Sequence, residues 1–131
     1  MTAEAGESGT IRVLLADDDE PFVDALTPLI ERQPELAVVG AAADGLAAIE
    51  LAEELHPDAI VIDLHMPLLD GVTAVARLRR DHPSMYVIAL TGDAHPALHQ
   101  AVSDAGADAV LLKEEFVETL VERLAAARAT V

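Results

Sequence analysis

Five short apolar runs, each followed by a longer segment of helical periodicity, predict an α/β fold whose parallel sheet lies between two helical layers. Two further observations support that class. The runs are continuously apolar, as strands buried on both faces must be, and do not alternate as a half-solvated sheet would. The returns toward later strands carry helix-ending punctuation at His56-Pro57, His82-Pro83 and Gly106-Ala107. The expectation is an open sheet, three layers thick, without an internal domain boundary.

The elements follow in order. Residues 1 to about 10 are small and polar and read as a disordered leader. Ile11 to Ala16 (IRVLLA) is the first strand. Phe22 to Arg32 is the first helix, with Phe22, Leu26, Leu29 and Ile30 at helical spacing. Leu36 to Ala42 (LAVVGAA) is a weaker second strand. Gly45 to Leu55 is the second helix, with Leu46, Ile49, Ala52 and Leu55 on one stripe.

The pattern then repeats. Ala59 to Ile62 is the third strand, and Val72 to Arg80 the third helix, with Val72, Val75 and Leu78 inward. Met85 to Leu90 (MYVIAL) is the fourth strand. Ala97 to Ala105 is the fourth helix, carrying Leu98, Ala101 and Val102. Ala109 to Leu112 (AVLL) is the fifth strand. Phe116 to about Arg128 is the fifth helix, with Phe116, Leu120, Val121 and Leu124 inward.

Composition narrows the functions open to such a fold. A chain of 131 residues suffices for one domain with a full core. Aromatic residues are only 2% against 52% hydrophobic, so the core must be aliphatic. The formal charge of −16 repels phosphate backbones and anionic lipid, which argues against direct nucleic-acid or membrane binding and favours divalent cations. Without cysteine there are no disulfides or thiolate metal sites. The start, MTAEAGESGT, lacks the features of a signal peptide, and no apolar run approaches the roughly 20 residues that span a bilayer. A soluble, cytoplasmic protein is expected.

In an open parallel sheet, ligands bind beyond the carboxyl ends of the strands. The first strand runs into Asp17-Asp18-Asp19-Glu20, the third into Asp63, the fourth into Thr91-Gly92-Asp93 and the fifth into Lys113. The second ends in Ala43-Asp44-Gly45, which says less. Taken singly, most of these residues have ordinary explanations. Asp19 or Glu20 before Pro21 reads as a helix cap, and Asp70-Gly71 as the turn and cap opening the next helix. Asp63 could cap a loop, Thr91 could be a turn hydroxyl, and Lys113 a solvated charge. The five histidines sit mostly at HP junctions, without i, i+4 pairing on one helix.

The joint arrangement says more. Asp17, Asp18 and Asp63 would repel one another without a cation, and oxygen-only ligands suit a hard ion such as Mg2+. Lys113 and Thr91 can serve the oxygens of a phosphoryl group. A carboxylate nucleophile at Asp63, assisted by metal, lysine and hydroxyl, is what aspartyl-phosphate formation needs.

These residues, in RVLLADDDEPF, PDAIVIDLHMPLLDG, ALTGDA and GADAVLLK, resemble the CheY-like receiver domain of bacterial two-component response regulators. The resemblance runs from about Ile11 to Ala126, and VVGAAADGLAAIELAEELHPD with GADAVLLK is most similar to the NarL/FixJ (LuxR-type) receivers. It implies a doubly wound (βα)5, flavodoxin-like fold with strand order 2-1-3-4-5, occupying residues 11–128. Asp63 is then the phosphoacceptor, and Lys113 and Thr91 serve the phosphoryl group, with a backbone N–H contact from Gly92. Asp17, Asp18, Asp63 and the backbone carbonyl of His65 hold Mg2+, with Mn2+ as a substitute.

The implied partner is a sensor histidine kinase, and the implied role a signalling switch that catalyses only its own phosphorylation and slow dephosphorylation. A homodimer through the fourth helix, fifth strand and fifth helix, or through the first and fifth helices, is also implied. LuxR-type receivers usually precede a helix-turn-helix that regulates transcription. None follows here, so an excised or a stand-alone receiver is expected.

Two positions depart from the pattern. Val110 stands where many receivers carry Tyr or Phe, and Lys113 is followed by Glu114-Glu115 in place of proline. Three other readings compete. A haloacid-dehalogenase-type phosphatase wants a second Asp two residues after the first, where His65 stands. A nucleotide-binding enzyme wants a glycine-rich loop in place of DDDE. A degenerate receiver, acting as a phosphorylation-independent interaction module, would lack site residues that are all present here.

Overall fold

The computed structural model describes residues 10–93, 95–113, 119 and 121–125. Within them the elements are β1 (Ile11–Ala16), α1 (Glu20–Glu31), β2 (Leu36–Ala42), α2 (Gly45–Leu55), β3 (Ala59–Asp63), α3 (Gly71–Asp81), β4 (Tyr86–Thr91), α4 (Pro96–Ala105) and β5 (Ala109–Leu112). Residues 119 and 121–125 are also helical. The five strands form one parallel sheet in the order β2-β1-β3-β4-β5. The α/β class and the strand order are therefore as expected from the sequence.

Because successive side chains of a strand point to opposite faces, each continuous apolar run divides between two cores. Leu14, Ile60, Ile62, Val87 and Ala89 face Ala48 and Ala52 of α2, Val75 and Leu78 of α3, and Val102 of α4. Val13, Leu15, Val61, Ile88 and Leu90 face Leu26 and Ile30 of α1, together with Leu124. All of these side chains are buried and aliphatic, so nearly every strand position contributes to burial.

Several boundaries differ from expectation, mostly for reasons of capping. The first helix begins at Glu20, not Phe22, because the Asp19 side chain accepts from Phe22 N and Pro21 fits the first turn. Asp70 and His95 cap α3 and α4, moving their starts to Gly71 and Pro96. Asp63 belongs to β3, paired with Leu90, and β4 runs Tyr86–Thr91 rather than Met85–Leu90. Leu46 is 44% exposed and Ala101 is exposed, so neither serves its helix's inner face as expected. The small Ala48 and Ala52 do so for α2, where close approach to the sheet favours alanine. The leader through residue 9, Glu114-Glu115, Phe116 and Leu120 lie outside the described residues.

The amino ends of the strands are tied by a device used twice. Asp58, just before β3, donates its own N–H to Arg12 O and accepts from Arg12 N through Oδ2, both at 2.9 Å. Asp108, just before β5, accepts a backbone bond from Val87 through Oδ2 at 2.8 Å and donates its own N–H to Val87 O. In each case an arginine gathers nearby carbonyls. Arg12 donates to Leu55 O and His56 O at the end of α2. Arg79 donates to Gly106 O, Pro83 O and Met85 O, and pairs with Asp108 at 2.6 Å. Gly106 lies at φ 122°, and a Cβ there would come within 2.6 Å of the Arg79 side chain, so glycine is required twice over.

Candidate functional site

Three strand ends on the opposite, carboxyl rim share one local construction. Asp17 Oδ1 accepts from Asp19 N at 2.9 Å, Asp63 Oδ1 from His65 N at 3.1 Å, and Thr91 Oγ1 from Asp93 N at 2.9 Å. In each, the side chain that ends or follows a strand bonds the amide two residues on, which turns the chain and fixes the side chain. Asp17, Asp63 and Thr91 are all buried, at 5%, 4% and 0% exposure. The loop after Asp63 is drawn back so tightly that a Cβ on Gly71 would meet Leu64 backbone at 2.6 Å. Asp70 then caps α3 through Val72 N and Thr73 N, and the Thr73 hydroxyl donating to its Oδ2, helped by those two amides, holds its carboxyl below the usual aspartate value.

With the Oδ1 atoms of Asp17 and Asp63 used locally, both Oδ2 atoms face Lys113. Lys113 Nζ lies 2.8 Å from Asp17 Oδ2 and 3.4 Å from Asp63 Oδ2. The shorter contact is an ion pair without the alignment of a hydrogen bond, leaving a buried Asp17 oxygen unsatisfied. Lys113 follows β5 directly, and its N–H donates to Thr91 O at 2.8 Å, tying the lysine to the end of β4. Its ammonium also lies 4.5 Å from the centre of the Phe22 ring, a cation–π contact.

The charges set the proton affinities. Burial raises the Asp17 carboxyl above its ordinary value, and neighbouring Asp63 adds to this. The Lys113 ammonium and the Asp19 N–H oppose it without prevailing. Partial burial pulls Lys113 down, but the Asp17 and Asp63 carboxylates outweigh it and hold the lysine above its ordinary value.

Asp17, Asp18 and Asp63 offer carboxylate oxygens within 4.8 Å of one another, Asp17 and Asp63 buried and Asp18 exposed. Three carboxylates against one ammonium, an all-oxygen donor set and an unsatisfied Asp17 Oδ2 fit a hard divalent cation entering from the exposed side.

The structure thus brings together Asp17, Asp18, Asp63, Lys113 and Thr91, as the sequence led us to expect. Gly92 is exposed in the loop after β4, where an added Cβ would meet nothing within 4 Å. His65 is exposed too, with its ring Nε2 at 3.2 Å from Thr91 Oγ1. Val110 pairs with Ala89, not Thr91, and packs against the α2–α3–α4 core. The sequence reading missed Phe22, taken as an inward apolar position only. In a chain with two Phe and one Tyr, an aromatic two residues beyond the acidic run was the signal to notice.

Comparison with known proteins agrees with this geometry. The profile of the response regulator receiver domain family matches residues 13–125. The transcriptional regulatory protein LiaR of Bacillus subtilis is 37% identical over 117 residues, covering 89% of this chain and 56% of LiaR. A protein-glutamate methylesterase/protein-glutamine glutaminase of Shewanella denitrificans is 34% identical over 126 residues, 88% of this chain and 32% of that protein. The chain therefore spans about half or less of these relatives. Among solved structures, the receiver domain of the putative response regulator NarL from Mycobacterium tuberculosis superposes with a TM-score of 0.86 at 27% identity, covering 93% of this chain and 98% of that one. Fold and profile coincide, and the chain belongs to the response regulator receiver domain family.

Proposed function

We propose that Asp63 accepts a phosphoryl group from a partner histidine kinase and that the chain switches conformation in response. The observation that carries this reading is the shared cluster of Asp63 Oδ2, Lys113 Nζ and Asp17 Oδ2, beside an exposed Asp18 and a buried Thr91 hydroxyl. In the transfer, a carboxylate oxygen of Asp63 forms a bond to phosphorus as the phosphorus–nitrogen bond of the donor phosphohistidine breaks. The leaving imidazole nitrogen takes a proton.

Asp17, Asp18 and Asp63, with the His65 carbonyl, would hold Mg2+, or Mn2+ in its place. The bound ion supplies positive charge that offsets the carboxylates and the incoming phosphoryl oxygens. Lys113 leaves its contact with Asp17 to pair with the transferred group, the Thr91 hydroxyl donates to one of its oxygens, and the Gly92 N–H to another. The new group brings about 1.5 to 2 negative charges. That charge biases the loop and helix after β4 and shifts a pre-existing equilibrium of shapes.

In this reading residues 11–128 form the receiver, and its chemistry is confined to gaining and slowly losing the phosphoryl group. The readout surface involves α4, β5 and the fifth helix, through homodimerisation or an output module. With a LuxR-type helix-turn-helix, that output is transcriptional. The charge of −16 argues against DNA contact by this segment itself. No described helix is long and apolar enough to cross a membrane, which is consistent with a cytoplasmic site of action.

The test is incubation with Mg2+ and acetyl phosphate, followed by intact mass. The wild type should gain one phosphoryl group and Asp63→Asn none. A wild type that gains nothing, or an Asp63→Asn variant labelled equally, refutes the assignment.

A further inference from the structure

The Thr91 hydroxyl is held by a group that the phosphoryl chemistry does not use. Thr91 is fully buried, and a hydroxyl has one hydrogen to give and two lone pairs to fill. Asp93 N–H takes one lone pair at 2.9 Å. Two atoms are placed to receive the hydrogen: His65 Nε2 at 3.2 Å and Asp93 O at 3.4 Å. The ring nitrogen is the nearer of the two: it either accepts the hydroxyl hydrogen or, as Nε2–H, fills the second lone pair, and in both cases it fixes how the hydroxyl points. With the ring as acceptor, the proton of the neutral imidazole sits on Nδ1.

Among the described residues, His65 is the one side chain hydrogen-bonded to this hydroxyl. Val110, opposite Ala89 on β5, presents only an aliphatic surface to the core. His65 is also coupled to the acid, since its backbone N–H donates to Asp63 Oδ1 at 3.1 Å. One residue therefore touches Asp63 with its backbone and Thr91 with its ring.

We propose that His65 is a positioning residue that holds the Thr91 hydroxyl in its resting orientation, so that a group arriving on Asp63 must draw the hydroxyl off the ring. The two acceptors compete for a single hydrogen. His65 thereby sets how readily the site responds, from the β3–α3 loop and not from β5. This rests on the reading of Asp63 as phosphoacceptor.

The test has two arms. In the ion-free protein with the imidazole neutral, the ring nitrogens are read by 15N NMR. His65 Nε2 should be the unprotonated nitrogen, with a resonance that moves on Thr91→Val. A protonated Nε2, or one indifferent to Thr91→Val, overturns the proposal. In the second arm the Kd for beryllium trifluoride, a phosphoryl mimic, is measured at saturating Mg2+. The variants are His65→Ala, His65→Leu and His65→Gln, each with Thr91 and with Thr91→Val.

His65→Ala and His65→Leu should tighten binding about threefold to tenfold, the range one net hydrogen bond represents. His65→Gln, which can accept from the hydroxyl, should stay near wild type, and the gains should vanish in Thr91→Val. If His65→Leu behaves as wild type, or the gain persists in Thr91→Val, the ring only shields the mouth of the site and the proposal fails. If no variant binds the mimic, the reading of Asp63 fails and the competition falls with it. The nitrogen resonance still reports the ring–hydroxyl bond in that case.

Discussion

The two rims of this sheet are built from the same residue types and put them to opposite use. At the amino rim, Asp58 and Asp108 satisfy backbone amides while Arg12 and Arg79 satisfy backbone carbonyls. Every charge there has a partner, and each partner ties two elements together. At the carboxyl rim, Asp17, Asp18 and Asp63 crowd around one lysine, a buried oxygen of Asp17 has no hydrogen bond, and burial raises its carboxyl. The amino rim holds the strands in place; the carboxyl rim leaves carboxylate charge that a bound cation could offset. Stability and chemistry are separated by the length of a strand.

Substitutions can break that division. The largest effect belongs to Arg79→Ala, which strands three carbonyls and removes the partner of Asp108. Denaturant unfolding should show a loss of about 3 kcal/mol. Labelling by acetyl phosphate per folded molecule should be unchanged. A large loss of labelling with little loss of stability would mean that the two rims are not separable.

At the other rim the sign reverses. Asp17→Asn should raise the stability of the ion-free protein by roughly 1–2 kcal/mol, because it removes a poorly compensated buried charge. The effect is pH-dependent. The folded chain takes up the Asp17 proton at a higher pH than the unfolded chain, whose value is near 3.8. Asp17 therefore adds stability as pH falls through its raised value toward 3.8, and the gap between variant and wild type narrows across that window. A gap that widens on acidification contradicts the account.

A smaller effect is expected where an aspartate of the site loop is only structural. Asp70→Ala should cost about 1 kcal/mol through loss of the α3 cap. The carboxyl of Asp70 lies below 3.8, so its contribution is present above that value and fades as pH falls through the lowered one. The variant's defect should therefore disappear in acid, while Mg2+-dependent labelling persists at neutral pH.

How much of this was legible beforehand follows the range of the interactions. β1, β2, β5 and α2 were readable to the residue, because each is an apolar run or stripe bounded by polar or turn residues. Asp17, Asp18, Asp63, Thr91 and Lys113 were readable because they stand immediately at or beyond strand ends. The unread part depends on how side chains point across loops. Arg12 and Arg79 look like ordinary charges in sequence, and only the approach of α2, β3, β4 and β5 supplies their carbonyls. The skip of Val39 in the β1–β2 register, with Val13 opposite Val38 and Leu14 opposite Gly40, has no signature in either strand. That the Lys113 ammonium lies nearer Asp17 than Asp63, and that the His65 ring meets Thr91, lies beyond any strand-end pattern.

The contrast between rims reduces to whether the carboxyl rim is completed by a divalent cation. Unfolding of wild type and Asp17→Asn, with and without Mg2+, tests this directly. The account predicts that Mg2+ stabilises the wild type by about 2.7 kcal/mol at a hundredfold excess over its Kd. It should leave Asp17→Asn nearly unmoved. Equal stabilisation of both proteins, or of neither, would contradict it.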